Sequence, residues 1–235
     1  DRFNGYILNL GWSRNTLNSA YFPTKLVNNS LTAKGTVPGS TLTWYQTSLS
    51  SSWYHPITSF FTLNLRGQVK YGDGYGKTHH FPFFRNYYAG GWGTIRGYED
   101  SDLGPHDSLC TKVNASGTGC TGSDPAVKGN AIGGNLLVSA SANVFFPVPF
   151  ATDNDNMRFS LFLDAGNVYD TYNLSYAYED NSPKHPTFGN LRYSAGLAFQ
   201  WLSPVGAIGF SLAEPIRKKS GDGTQIFQFT MGQFF

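Results

Sequence analysis

The sequence is poor in charge and has no long apolar run, and each shortage excludes a class of protein. Only 14% of the 235 residues are charged, which is thin for the surface of a soluble protein. The net charge of +2 is too small and too scattered for a nucleic-acid-binding surface. No run approaches the roughly 18 apolar residues that a membrane-spanning helix requires. We therefore expect neither a nucleic-acid partner nor a helical membrane protein.

Glycine and aromatic residues are abundant, and apolar and polar residues alternate with a period of two in about nine segments. Such alternation is typical of β-strands with two different faces. The predicted strands lie near 5–13, 26–37, 41–55, 58–71, 134–147, 156–169, 189–202, 206–214 and 225–235. The pattern predicts an all-β, antiparallel meander that forms a transmembrane β-barrel.

A soluble β-sandwich or a lipocalin-like barrel also has alternating strands, so it remains an alternative. In this sequence, however, the apolar face is long, and the polar face consists mostly of Ser, Thr, Asn, Gln and Gly. The segment near 58–71 is an example, and its apolar face carries Phe61, Leu63, Leu65, Val69 and Tyr71. This distribution favours a barrel with lipid outside and water inside.

Between the fourth and fifth predicted strands, the stretch 87–98 is rich in glycine and aromatic residues and contains one arginine, Arg96. The glycines are Gly90, Gly91, Gly93 and Gly97, which allow tight backbone turns. We predict a compact loop, within a long loop spanning 73–132, that carries Arg96 to a buried acceptor. The residues Ile95, Arg96, Gly97 and Tyr98 resemble a motif of the outer-membrane protein assembly and two-partner secretion family.

Further stretches resemble, in the same order, the C-terminal part of the barrel of BamA-like outer-membrane protein assembly factors. They lie at 16–24, 82–97, 103–105, 124–130, 162–170, 200–206 and 213–215. The resemblance implies a sixteen-stranded barrel, preceded by periplasmic POTRA domains, in the bacterial outer membrane. Residues 1–235 would then be a single membrane β-barrel domain fragment, a truncated half with about nine strands. The fragment would form a small closed barrel, a swapped dimer or a distorted sheet.

The resemblance also implies a function. The chain would belong to the central subunit that folds and inserts β-barrel proteins into the outer membrane, by edge-strand pairing at a lateral seam. Its partners would be outer-membrane lipid, unfolded barrel proteins as clients, and accessory lipoproteins bound through the POTRA domains. The alternative is the pore of a two-partner secretion system or another passive barrel channel.

In this family the motif arginine reaches acidic residues inside the barrel, and the resemblance places one of them at Asp164. The alternation of its strand directs Asp164 into the lumen. Asn143 stands where BamA-like barrels often have a second acidic residue. We expect Arg96 to bind Asp164 strongly and Asn143 more weakly. Alternatively, Arg96 is an exposed loop residue and Asp164 simply lines the pore.

The last predicted strand resembles the C-terminal signal of bacterial outer-membrane barrels. Phe227, Phe229 and Phe235 share one face, and the chain ends on an aromatic residue. Gly232 is expected to permit an inward kink in the edge strand.

The two cysteines, Cys110 and Cys120, lie in the long loop and predict a disulfide. A metal pair is the rival interpretation, but no histidine or cysteine follows at zinc spacing. The adjacent residues His106, Asp107 and Ser108 are a poor triad, because triad residues are seldom adjacent in sequence. We expect no catalytic residues, no metal, no cofactor and no enzymatic activity.

Overall fold

The computed structural model describes residues 4–19, 22–113, 120–149, 156–172, 186–219 and 221–232, without the side chains of 107–128. Its strands are β1 (Ile7–Asn15), β2 (Leu26–Thr36), β3 (Trp44–Pro56), β4 (Thr62–Gly74), β5 (Gly97–Tyr98), β6 (His106–Val113), β7 (Cys120–Ala131), β8 (Leu136–Phe146), β9 (Met157–Tyr169), β10 (Arg192–Ser203), β11 (Gly206–Arg217), β12 (Thr224–Gln225) and β13 (Phe227–Met231). Two 3₁₀ turns occupy Phe83–Arg85 and Phe188–Asn190. Within the described ranges, no helix is long and apolar enough to cross a membrane.

Nine of these strands form one antiparallel sheet in the order β1-β2-β3-β4-β8-β9-β10-β11-β13. They coincide with the nine predicted segments, so the predicted all-β antiparallel meander is confirmed. In the described residues, β1 pairs only with β2 and β13 only with β11, so the sheet is open. The pairing of β11 with β13 is short, covering five residue pairs from Ile208–Met231 to Leu212–Phe227.

Burial in the sheet is inverted relative to a soluble protein. The outward face exposes large apolar side chains, such as Leu10 at 62% and Leu161 at 57%. The inner face buries polar ones, such as Asn64, Ser194 and Asp164, all at 1% or less. This arrangement suits a sheet that faces lipid outside and a polar lumen inside.

A row of phenylalanine rings crosses the outward face at one end of the sheet. Neighbouring ring centroids are 5.8 Å apart for Phe146 and Phe159, 5.1 Å for Phe159 and Phe199, 6.4 Å for Phe199 and Phe210, and 5.2 Å for Phe210 and Phe229. The row therefore links β8, β9, β10, β11 and β13. Because Phe146 ends β8, the row lies opposite the end at which the chain enters β8.

The segment between β4 and β8 contains β5, β6 and β7. The sequence predicted an irregular loop there, but β6 and β7 form a hairpin with an irregular register. The amphipathic alternation that marks the main strands is missing from this hairpin, so its strands were not predicted. Cys110 and Cys120 lie on these strands, and their side chains are outside the described part of the chain. The disulfide therefore stays a prediction.

Candidate functional site

The motif arginine is carried on a tight loop between residues 89 and 98. Gly90 and Gly97 have φ values of +112° and +88°, which favour glycine. The hydroxyl of Thr94 accepts a hydrogen bond from the Gly90 amide at 2.8 Å and donates one to the Gly90 carbonyl at 3.0 Å. The Gly91 amide donates to the carbonyl of Tyr98 at 3.1 Å. These hydrogen bonds within the loop hold its backbone in a single conformation.

The loop packs on the inner face of the sheet through two apolar clusters. One cluster contains Ala89, Ile95, Tyr98 and Leu103 from the loop and Leu137 and Val168 from the sheet. The other contains Trp92 from the loop and Phe162, Ala198 and Ala213 from the sheet. Burial of large side chains such as Ile95, which is fully buried, stabilises the docked loop by roughly 1.5–3 kcal/mol each.

Arg96 and Asp164 form a buried, two-pronged ion pair. Arg96 Nε donates to Asp164 Oδ2 at 2.7 Å, and Nη2 donates to Oδ1 at 2.8 Å. The Arg96 amide also donates to Oδ2 at 3.1 Å. The side chains are 7% and 1% exposed, so water does not screen the pair. The bidentate geometry fixes the direction of the guanidinium as well as its position.

Asn143 and Ser141 complete the polar shell around this pair. Arg96 Nη2 donates to Asn143 Oδ1 at 2.8 Å and to Ser141 Oγ at 3.2 Å. The Ser141 hydroxyl donates to Asp164 Oδ1 at 2.6 Å, and Asn143 Nδ2 donates to Asn64 Oδ1 at 3.2 Å. The structure thus brings together Arg96, Asp164 and Asn143, as the resemblance implied, and adds Ser141 to them. The sequence analysis did not single out Ser141 as a partner of Arg96.

Aromatic rings cover the guanidinium. The Arg96 Cζ atom lies 3.5 Å from the ring centroid of Phe162 and 5.9 Å from that of Trp92. Cation–π contact with desolvated rings stabilises a guanidinium by about 2 kcal/mol. The loop arginine is therefore held by a carboxylate and by an aromatic face, and the alternative of an exposed loop arginine does not match this geometry.

The residues that follow Arg96 bind the last hairpin. β5 pairs with β12, with Gly97 opposite Gln225 and Tyr98 opposite Thr224. The Tyr98 hydroxyl donates to the carbonyls of Tyr193 and Arg217, and burial raises the pKa of Tyr98. The sequence identified Tyr98 as a motif residue but gave no sign of these partners.

Gln228, on β13, reaches the same backbone. Its Nε2 atom donates to the Tyr98 carbonyl at 2.6 Å, and its Oε1 atom accepts from the Gly97 amide at 3.3 Å. The side chain is 4% exposed. The only available sequence signal was its place on the polar face of the last strand.

A second buried ion pair anchors the turn before β12. Arg192 Nη2 and Nε donate to Asp222 Oδ1 and Oδ2 at 2.8 and 3.0 Å. The Lys219 amide donates to Asp222 Oδ2 at 2.7 Å. This pair, which no sequence motif indicates, holds the turn close to the motif loop.

Cationic side chains line the inner face beside the loop. Arg66, Lys70 and Arg158 border a cavity of about 550 Å³. Arg158 Nε donates to Gln200 Oε1 at 2.7 Å, and its Cζ atom lies 3.6 Å from the Phe145 ring centroid. The side chains that line this cavity make the inner face polar and cationic.

The aromatic residues of the last strand face outward, with Phe227 and Phe229 both 54% exposed. Gly232 has a φ of +95°, and its amide donates to the Ala207 carbonyl at 2.7 Å. The chain thus leaves the regular strand conformation at Gly232. Phe235 lies outside the described residues.

Comparison with known proteins identifies relatives that match most of the chain. It is 38% identical to the outer membrane protein assembly factor BamA of Neisseria meningitidis over 245 aligned positions, covering 96% of this chain and 28% of that protein. It is 28% identical to the outer membrane protein assembly factor BamA of Nitratidesulfovibrio vulgaris over 187 positions, covering 77% of this chain and 19% of that protein. The chain therefore spans less than a third of the length of these two relatives.

A solved structure is also similar. The crystal structure of BamA from Haemophilus ducreyi lacking POTRA domains 1–3 matches with a TM-score of 0.83 and 35% identity, covering 95% of this chain and 41% of that one. The model of the Omp85 superfamily domain matches residues 1–235. The chain belongs to the Omp85 superfamily and is similar to the C-terminal part of the BamA barrel.

Proposed function

We propose that this chain is part of the barrel of an assembly factor that folds and inserts β-barrel proteins into the bacterial outer membrane. The observation that carries the proposal is the 38% identity to a BamA protein over 96% of the chain. The exposed apolar face and the buried polar face support a place in the membrane. The named relatives are assembly factors, which favours this function over the pore of a two-partner secretion system.

The mechanism we propose is β-augmentation at the edge formed by β13. A client strand would pair with the backbone N–H and C=O groups of this edge, as extended segments do at other exposed sheet edges. The pairing that holds this edge strand in the sheet is short, covering five residue pairs between β13 and β11.

The motif loop would stabilise the closed barrel wall. Arg96, Asp164 and Asn143 tie the loop to β8 and β9. These contacts would support the strand pairing on which the loop lies. No covalent chemistry is needed, and we propose that the protein is not an enzyme.

The proposed partners are unfolded barrel proteins, lipid of the outer membrane and accessory lipoproteins of the assembly complex. The first two would contact the β13 edge and the outward apolar face. The lipoproteins would bind through POTRA domains. Residues 1–235 would supply a single barrel domain, with the long loop at 73–132.

Site-specific photocrosslinking tests this function in the protein reconstituted in lipid bilayers. A photoreactive phenylalanine analogue replaces Phe229 on β13, and in a matched control it replaces Leu197. The latter is also outward-facing and 37% exposed, but it lies on β10, which is paired on both sides. An unfolded barrel protein is expected to crosslink at position 229 and not at 197. Equal crosslinking at both positions, or none at position 229, would contradict the proposal.

A further inference from the structure

We propose that Gln228 couples the motif loop to the edge strand, so that the loop and β13 open and close as one unit. This inference rests on the proposed function only in treating β13 as one side of the opening seam. The coupling itself is a property of the folded protein alone.

Gln228 binds the loop as a backbone peptide group would. Its amide donates to the Tyr98 carbonyl and accepts from the Gly97 amide, so both hydrogen-bonding groups face the loop backbone. Because the amide is buried, losing these partners would leave polar atoms without water. The edge strand is therefore attached on its inner face as well as through its pairing with β11.

The attachment continues on the N-terminal side of β13. β12 pairs with β5, the Glu99 amide donates to the Gly223 carbonyl at 3.1 Å, and the Gly223 amide donates to Asp102 Oδ2 at 2.6 Å. The turn that leads into the edge strand is thus bonded to the chain that leaves the motif.

The other end of the same loop segment is fixed on β9. Arg96, next to Gly97, binds Asp164, and β9 is separated from β13 by β10 and β11. A Cβ built on Gly97 would lie 3.1 Å from the Ala213 Cβ atom and 3.5 Å from the Ser194 Cβ atom. The loop therefore lies directly on β10 and β11 between its two attachments.

This geometry has a mechanical consequence. β13 cannot leave β11 without either breaking the two bonds from Gln228 or pulling the loop away from Asp164. Release of the edge and loosening of the loop are therefore linked free-energy changes, and by thermodynamic reciprocity each favours the other.

Amide hydrogen exchange of the protein in lipid bilayers, without any client, tests this coupling. Gln228→Met keeps the length of the side chain and removes both hydrogen bonds. It is expected to accelerate exchange at Gly97 and Tyr98 by about tenfold, as the loss of two neutral hydrogen bonds predicts. In the reverse direction, Arg96→Ala is expected to accelerate exchange in β13, although the hydrogen bonds of Arg96 within the described residues go to β8 and β9.

Ser211→Ala is the matched control. Ser211 lies directly opposite Gln228 on β11 and is equally buried, but its hydroxyl has no hydrogen-bond partner among the described residues. It should leave exchange in the loop unchanged. Gln228→Glu, which keeps the acceptor for Gly97 and loses the donor to Tyr98, should give a measurable effect at Tyr98 even if the methionine variant fails to fold.

The coupling would be refuted if Gln228→Met and Gln228→Glu changed exchange only within β13. It would also be refuted if Arg96→Ala left β13 unchanged. Because no client is present, these results are independent of whether the protein assembles other barrels. If the client did not crosslink preferentially at position 229 but the exchange effects appeared in both directions, the proposed function would be rejected and the coupling would stand.

Discussion

Ile95 fills the space that a side chain at position 166 would need. A Cβ built on Gly166 would lie 2.9 Å from Ile95 Cδ1, and 2.6 Å from the Val138 carbonyl on β8. Real Cβ atoms essentially never approach other heavy atoms this closely, so glycine at position 166 leaves room both for the β8 backbone and for Ile95 of the loop. Docking of the loop therefore depends on glycine at position 166 as well as on the ion pair between Arg96 and Asp164.

Gly166→Ala should loosen the loop. The added methyl group would clash with Ile95 and with the β8 backbone, and overpacking of this kind costs about 1–3 kcal/mol. We expect faster proteolysis of the loop and a lower temperature for the heat-induced shift in gel mobility.

Gly67→Ala is the control for that experiment. Gly67 is also a strand glycine, on β4, but a Cβ there meets no atom within 4 Å. Its substitution should leave both measurements unchanged, and an equal effect from the two variants would reject the steric explanation.

Arg96→Ala should release the loop from the inner face. Removing one partner of a buried pair leaves the Asp164 carboxylate uncompensated, which costs about 3–5 kcal/mol. Loop proteolysis should become rapid, whereas Arg96→Lys should give an intermediate rate because lysine cannot form the bidentate contact. Unchanged proteolysis of the alanine variant would contradict this role for Arg96.

Asn143→Ala should have a smaller effect than Asp164→Ala. Asn143 provides Arg96 with one neutral acceptor, and a hydrogen bond of a charged group to such a partner contributes about 1.5–3 kcal/mol. Denaturant unfolding in detergent measures the free energy of unfolding of each variant and so ranks the two effects. A loss for Asn143→Ala equal to that for Asp164→Ala would show that the two residues act as one inseparable unit.

Asp170 should make stability depend on pH. It follows β9, it accepts a hydrogen bond from the Tyr172 amide at 3.0 Å, and burial raises its pKa above the usual value. The folded state therefore holds this proton more tightly than the unfolded state, so the stabilisation present at low pH is lost as the pH rises through the folded pKa.

Asp170→Asn should remove this pH dependence and stabilise the protein at neutral pH. Melting temperatures between about pH 4 and pH 7, which bracket the ordinary carboxyl range and neutrality, give the comparison. Identical slopes for the variant and the unchanged protein would show that Asp170 does not titrate in this way.

The sequence was sufficient to predict the sheet because each strand carries its own signal. Alternation along β4 or β9 depends only on which face meets lipid, and the direction of Asp164 follows from that alternation. The β6–β7 hairpin was missed because residues such as Asp107 and Lys112 do not alternate with apolar neighbours.

The partners of Arg96 and Gln228 could be predicted only in part. The resemblance to a family gave Asp164 and Asn143, but Ser141 is a ligand only because β8 and β9 pair in the register that sets it opposite Asp164. The contact of Gln228 with Tyr98 joins residues 130 positions apart. It depends on how far the loop extends across the sheet, which no local pattern encodes.

The phenylalanine row determines which way the edge can move. If β13 slipped by one residue along β11, Phe229 would turn from the outward face to the polar inner face and lose its contact with Phe210. Gln228 would turn outward at the same time. Sliding is therefore opposed on both faces, whereas peeling from one end breaks the five residue pairs one after another. We therefore expect β13 to separate from β11 by losing its residue pairs in sequence from one end, and not by a shift in register.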